Sequence, residues 1–266
     1  MSHDRTQPIT GRDGRALVIA MDHGRTGGVT PGLERPGRVI EQAIAGGADA
    51  IMASFGILKH ERSSWAGAVP AVLRVDGGVS LYRSDWLDYD EWRLMYDVDD
   101  ALALGCAGVV TMAFMGSPSE LDTLEITATV AAQVASTGLT LMVEALPCTC
   151  ERIPDRMAAD AMASAARLAY EHGADVIKNY FTGSVASFRT VVESTPAPML
   201  IAGGVPMEDA RAVLTVVHQA LAAGARGAVI GRNVWQHRDP EGMTRALARL
   251  IHEGIAVEEA LAEVRE

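Results

Sequence analysis

Lysine is almost absent from this chain. Of 23 basic residues in 266, only Lys59 and Lys178 are lysines, and the rest are arginines. Arginine thus serves wherever a solvated cation is needed, and a lysine set in an apolar run needs a separate reason. Basic charge as a whole is also scarce. The 34 acidic residues leave a net charge of −11, which argues against non-specific binding to nucleic acid or anionic membranes, since both need a basic surface. It leaves room for a local basic pocket around a phosphate. No run approaches the roughly 20 apolar residues of a membrane span. The opening residues 1–10 are polar and lack a signal-peptide core, so a cytoplasmic protein is expected. Cysteine is rare: Cys106, Cys148 and Cys150 are odd in number. Their spacing is neither zinc-type nor thioredoxin-type, and reduced thiols are expected. The seven histidines show no His-Glu-x-x-His pattern, so neither a metal site nor a cofactor is expected. The Gly-x-Gly-x-x-Gly fingerprint of dinucleotide folds is missing after the first apolar run.

What is present is enough apolar material for a large core, with 48% hydrophobic residues. The length suits a (β/α)8 barrel, which takes roughly 250 residues as one domain. Eight short apolar runs stand at regular spacing, at 17–21, 50–53, 71–75, 108–113, 139–143, 175–178, 199–202 and 227–230. They show little polar alternation, as strands buried on both faces do. Helical periodicity fills the intervals, for example at 155–171 and 207–223. A weak internal repeat joins helix to strand: Gly46-Gly47-Ala48-Asp49, Gly105-Cys106-Ala107-Gly108, Gly173-Ala174-Asp175 and Gly224-Ala225-Arg226-Gly227. Glycine ends a helix in the left-handed conformation. Alternating units imply a parallel sheet, and eight of them favour a closed TIM barrel over an open sheet. The expected architecture is one α/β domain over residues 1–266. The segment 82–96 holds five of the nine Trp and Tyr residues, Tyr82, Trp86, Tyr89, Trp92 and Tyr96. Such clusters anchor subunit interfaces or cap active sites.

Active sites of these barrels lie at the C-terminal strand ends. Asp22 and His23 follow the first run, Glu144 ends the fifth, and Lys178 ends the sixth, with Tyr180 just beyond. An amine in apolar surroundings sheds its proton more readily. A neutral amine attacks a ketone to give an imine, whose protonated form is an electron sink for breaking or making an adjacent carbon–carbon bond. Asp22 can orient substrate hydroxyls or move a proton; an ion pair with Lys178 or Arg232 is its plain alternative. Glu144 is the other candidate proton shuttle. His23 could orient Asp22 or contact substrate, although a lone histidine is more often structural. Gly203-Gly204 and Gly231-Arg232 end the seventh and eighth runs, where backbone N–H groups and a helix start bind phosphate. Arg232 adds a fixed charge suited to that anion.

Met21-Asp22-His23-Gly24, followed by Gly32-Leu33-Glu34-Arg35-Pro36-Gly37, resembles the start of the archaeal-type class I fructose-bisphosphate aldolases of the DeoC/LacD-like superfamily. Relatives in that group include the autoinducer-2 phosphate thiolase and the aminodideoxyheptulosonate synthase. The segment from Gly173 through Lys178 to Gly183 resembles that family's Schiff-base segment. Ile201-Ala202-Gly203-Gly204 and Ile230-Gly231-Arg232-Asn233-Val234-Trp235-Gln236 resemble its phosphate loops. The resemblance covers residues 17–250. It implies that Lys178 forms the imine, that Asp22 orients hydroxyls, and that Gly203, Gly204, Gly231 and Arg232 hold a sugar phosphate. It implies dihydroxyacetone phosphate as donor fragment and a homo-oligomer, since relatives often form decamers of two five-membered rings. One departure stands out. Many members carry Tyr-Pro-Arg-Gly after the fifth strand, where this chain has Leu146-Pro147-Cys148-Thr149. A bisphosphate substrate thereby loses a charge-assisted partner, for which Arg25, Arg74 and Arg152 are possible replacements. The expected function is a metal-independent class I aldolase acting on a ketose phosphate. The alternatives are a thiolase or transaldolase-like synthase using the same lysine, and a non-catalytic sugar-phosphate-binding barrel.

Overall fold

The computed structural model describes residues 6–83 and 91–265. Eight parallel strands close into a barrel: β1 (Ala16–Ala20), β2 (Ala50–Ser54), β3 (Ala71–Arg74), β4 (Gly108–Met115), β5 (Thr140–Pro147), β6 (Val176–Asn179), β7 (Met199–Ala202) and β8 (Gly227–Ile230). Each pairs with its successor, and β8 pairs with β1 from Ala16↔Gly227 to Ile19↔Ile230. Helices follow the strands: α1 (Pro36–Ala45), α2 (Phe55–His60), α3 (Val98–Leu104), α4 (Glu120–Val134), α5 (Ala159–Glu171), α6 (Val185–Glu193), α7 (Ala210–Ala222) and α8 (Pro240–His252). This is the (β/α)8 TIM barrel that the eight apolar runs predict. Among the described residues no helix is long and apolar enough to cross a membrane.

The strands look uniformly apolar in sequence because both faces are covered, yet period-two geometry sorts them. Ala16, Val18, Ala20, Ala50, Met52, Val72, Val110, Met142, Val176, Leu200 and Val229 pack together inside the barrel, joined by Ile9 from the turn ahead of β1. The residues between them, such as Leu17, Ile19, Ile51, Leu73, Val143 and Ile177, pack outward against the helices.

The glycine–aspartate repeat has a mechanical role. Gly47 (φ 90°) and Gly173 (φ 99°) turn the chain out of α1 and α5 in the left-handed region. The aspartate that follows reaches back one strand. Asp49 Oδ2 accepts from the Leu17 N–H at 2.7 Å, and Asp175 Oδ2 accepts from the Leu141 N–H at 2.9 Å. The helix-to-strand joint is thus tied to the neighbouring strand by a charge-assisted bond.

One boundary differs from expectation. Glu144, read as the end of the fifth strand, lies in mid-strand, because β4 and β5 pair residue for residue from Gly108↔Thr140 to Met115↔Pro147. A carboxylate on the inner face does not stop a strand whose ladder partner continues. The flanking β3 and β6 end at Arg74 and Asn179, so the β4–β5 pair stands above the rim as one wall of the mouth.

The aromatic segment is described in part, and Trp86 and Tyr89 lie outside the described residues. Trp92 sits in a two-stranded sheet, Asp76–Gly78 against Trp92–Leu94. It is buried, while Tyr96 stacks on Phe55 at 4.4 Å. These two rings serve their own barrel; Tyr82 is exposed.

Candidate active site

The inward parity of the core strands continues upward into charge. Two residues beyond Ala20, Val72, Met142 and Val176 stand Asp22, Arg74, Glu144 and Lys178. A charged layer therefore rests on the apolar plug. Arg74 is its centre and is 1% exposed. Its Nε donates to Asp22 Oδ2 at 2.9 Å, Nη1 to Asp76 Oδ1 at 3.3 Å, and Nη2 to Glu144 Oε2 at 2.6 Å. The other Glu144 oxygen, Oε1, meets Lys178 Nζ at 2.8 Å. The expectation of apolar surroundings for Lys178 is thus corrected: the amine is buried, but beside a carboxylate. The partner of Asp22 is likewise Arg74, neither Lys178 nor Arg232.

Burial opposes ionisation of Asp22, but Arg74, with His23, Lys178 and Arg25, holds its carboxyl below the usual range. Burial also opposes ionisation of Glu144, and there Lys178 and Arg74 win, so its value falls too. Asp76 goes the other way. It is fully buried, and burial pushes its carboxyl up despite Arg74 and Arg25. Its Oδ2 accepts from Trp92 Nε1 at 2.7 Å and from the Met112 N–H at 2.6 Å, which marks it as a structural strut. Burial lowers Arg74, yet Asp22, Asp76 and Glu144 raise it above its ordinary value. Burial lowers His23 against the pull of Asp22 and favours a neutral ring. Burial pushes the Tyr180 phenol up to about 12, with Glu144 adding to it.

A cavity of about 300 Å³ opens on this layer, and Asp22, His23, Arg25, Arg74, Glu144, Lys178 and Arg232 line it. Five of the nine residues singled out in the sequence therefore share one wall system. Gly203, Gly204, Gly231 and Tyr180 are not part of that lining. Gly231 needs to be glycine, since a Cβ there would lie 2.7 Å from both the Ala20 carbonyl oxygen and His23 Cε1. Gly231 and Arg232 open a short helix, Arg232–Trp235, whose first N–H groups have no intrahelical partner. Arg232 Nη2 donates to the Gly204 carbonyl at 2.9 Å. Asn233 clasps the same loop, with Nδ2 on the Gly203 and Val205 carbonyls at 2.8 and 3.1 Å and Oδ1 accepting from the Met207 N–H at 2.7 Å. The loops after the two glycine-ended strands are thereby tied into one corner of the barrel mouth.

Above Glu144 the β4–β5 wall is apolar. Leu146 packs with Trp92, Met112, Phe114 and Cys148, beside Tyr180. Burial pushes the Cys148 thiol up to about 12, and all three cysteines are free. Among the described residues no group of three or more His, Cys, Asp or Glu is arranged to hold a metal ion.

Sequence reasoning named Arg74 and Arg25 only as spare arginines. The signal for Arg74 was its inward position after Val72, but among so many arginines it carries none of the rarity that marks Lys178. Arg25 had no signal, because its place depends on a contact with the distant Trp92.

A family model described as DeoC/LacD family aldolase matches residues 16–237. The chain is 37% identical to the 2-amino-3,7-dideoxy-D-threo-hept-6-ulosonate synthase of Halobacterium salinarum, over 94% of this chain and 91% of that one. It is 30% identical to a class 1 fructose-bisphosphate aldolase of Thermoproteus tenax, over 95% of each. An archaeal fructose-1,6-bisphosphate aldolase, solved with its catalytic lysine covalently bound to the carbinolamine intermediate, superposes with a TM-score of 0.84 at 29% identity, covering 93% of this chain and 98% of that one.

Proposed function

The chain belongs to the DeoC/LacD aldolase family, and from that premise we propose that Lys178 is its Schiff-base residue and that its substrate is a ketose phosphate. It is a class I aldolase, making or breaking a carbon–carbon bond through an imine. The observation that carries the assignment of Lys178 is its place: a buried amine on the cavity wall, 2.8 Å from Glu144.

Glu144 takes a proton from the Lys178 ammonium, and the freed amine adds to the substrate ketone to give a carbinolamine. Loss of water gives the iminium, which withdraws electrons from the neighbouring carbon–carbon bond. As the hydroxyl two carbons from the iminium carbon loses its proton, that bond breaks, an aldehyde leaves and an enamine remains. Protonation of the enamine and hydrolysis return the amine and release the donor fragment, dihydroxyacetone phosphate on this reading. Glu144 is the proton shuttle throughout. Asp22, ionised and fixed by Arg74, accepts from substrate hydroxyls. The corner of Gly203, Gly204, Gly231 and Arg232 receives the donor phosphate, while His23 and Tyr180 contact substrate at the edge of the site.

Borohydride reduction in the presence of dihydroxyacetone phosphate, followed by peptide mass mapping, tests the assignment. An adduct on the peptide holding Lys178 is expected. An adduct elsewhere, or none with a ligand that binds, would sink it. A second reading keeps the lysine but transfers the donor to a different acceptor in a synthase reaction. Its support is the higher identity to the heptulosonate synthase, together with apolar Leu146 where the resemblance expects tyrosine. Product analysis with a panel of acceptors separates the two. The same proposal includes a homo-oligomer in the cytoplasm, checked by sedimentation.

A further inference from the structure

Arg25 and Arg232 each leave Nε buried without a hydrogen-bond partner, but Arg25 alone of the cavity cations also lacks, among the described residues, a polar anchor elsewhere on its side chain. Arg74 is committed to three carboxylates, Lys178 pairs with Glu144, and Arg232 donates to the Gly204 carbonyl. Arg25, on the short helix Gly24–Gly27, lines the cavity, yet its Nε is buried without a hydrogen-bond partner. No carboxylate among the described residues forms an ion pair with it. Arg25 as a whole is half-buried, and a guanidinium nitrogen shut away from water without a partner is costly, so its position needs a cause.

The structure builds a seat for it. Cζ lies 5.2 Å from the centre of the Trp92 ring, within cation–π range. A Cβ on Gly77 would lie 1.9 Å from Arg25 Nη1, and one on Gly78 would lie 2.5 Å from the Trp92 ring. The two glycines thus leave the space that the guanidinium and the indole occupy. Asp76 fixes the indole through Trp92 Nε1. An aspartate, two glycines and a tryptophan thereby hold one arginine at the mouth, opposite the β6 side that carries Lys178. The cavity wall as a whole is positive, since Arg25, Arg74, Lys178 and Arg232 outnumber Asp22 and Glu144 on its lining.

The other two spare arginines do not serve. Each of the three Arg74 nitrogens is already engaged by a carboxylate, and Arg152 lines a different cavity with Ile153 and Pro154.

We propose that Arg25 receives an anionic group, phosphate or carboxylate, at the far end of the acceptor fragment, on residues separate from the Gly204–Arg232 corner that holds the donor phosphate. This rests on the aldolase reading above. It identifies the acceptor as an aldehyde with its own negative charge, and it supplies from the segment after β1 the second cation that the chain lacks at Cys148.

The test uses matched acceptors in the synthetic direction with dihydroxyacetone phosphate as donor: glyceraldehyde 3-phosphate against glyceraldehyde, and succinic semialdehyde against butanal. Wild-type protein is expected to prefer the charged member of one pair by about tenfold to a hundredfold in kcat/KM, the range of one charge-assisted contact. The pair that shows it distinguishes phosphate from carboxylate. In Arg25→Gln, which removes the charge and leaves a shorter side chain with a planar polar end, the preference falls towards unity, and Arg25→Lys retains part of it. No preference in either pair, or a preference unchanged in Arg25→Gln, overturns the proposal, as does an equal loss for charged and neutral acceptors. The wild-type comparison needs no variant to fold. Absence of any borohydride-trapped adduct on Lys178 would instead overturn the aldolase reading, and an adduct without acceptor preference would overturn only the role of Arg25.

Discussion

Glu144 and Lys178 are register partners on adjacent strands, and their side chains meet at 2.8 Å on the inner face of the barrel. The ladder fixes both backbones, so the carboxylate is held against the amine by the sheet itself. A site built on strands is positioned more tightly than one built on loops.

Glu144→Gln keeps the shape and removes the base. Turnover and the rate of borohydride trapping should fall by about 100- to 10,000-fold, the usual contribution of a positioned acid or base. Because Lys178 and Arg74 hold the Glu144 carboxyl below its ordinary value, its basic form persists into acid. Its stabilising share is complete above the ordinary carboxylate range and is lost as pH falls through the depressed value. Wild-type melting temperature should therefore decline below about pH 4, and a flat acid profile would contradict this.

Arg74 is surrounded by Asp22, Asp76 and Glu144. Arg74→Lys can satisfy one of these, not three, because an ammonium is a point charge without the planar fork. Breaking a buried network by removing one partner leaves uncompensated charge and costs about 3–5 kcal/mol. Urea unfolding of Arg74→Lys or Arg74→Met should show a loss of that order, and a change within about 0.5 kcal/mol would show that the network is dispensable.

Asn233 joins the loop after β7 to the start of the short helix after β8. Asn233→Ala leaves two carbonyls and the Met207 N–H without this partner. Half-saturation for phosphorylated ligands should rise about tenfold or more, whereas trapping at saturating ligand changes little, because nothing near Lys178 moves. A loss confined to the saturated rate would place Asn233 in the chemistry instead.

At the opposite end of the barrel, His252 bridges Asp49 and Asp13 at 2.9 and 3.0 Å. The hydrogen bond to Asp49, against the effect of burial and with help from Asp13, raises its pKa to about 9. The folded value lies above the unfolded one, so its stabilisation is full below about pH 6.5 and is lost as pH rises through about 9. Melting curves from pH 6 to 10 should fall by about 2–4 °C per kcal/mol lost. His252→Gln should flatten that slope.

The barrel itself was legible in sequence, because strand length, apolar content and helix-ending glycines are local properties. Lys178 was legible for a different reason: in a chain that uses arginine for nearly all its basic charge, a lysine after Val176-Ile177 stands out. Asp22, His23, Gly231 and Arg232 followed from their places at strand ends. Glu144 was found, but its strand was ended too early, since the length of a ladder depends on the partner strand.

Composition and periodicity determined that this protein is a closed α/β barrel and singled out Lys178 at the end of one of its strands. The tertiary structure decided which charge meets which. Asp22, Arg74, Asp76 and Glu144 come from three strands and their loops, and no local pattern shows that one guanidinium joins three carboxylates. Arg25 makes the same point: its seat is formed by Gly77 and Trp92 from another segment, and only closure of the barrel brings them together.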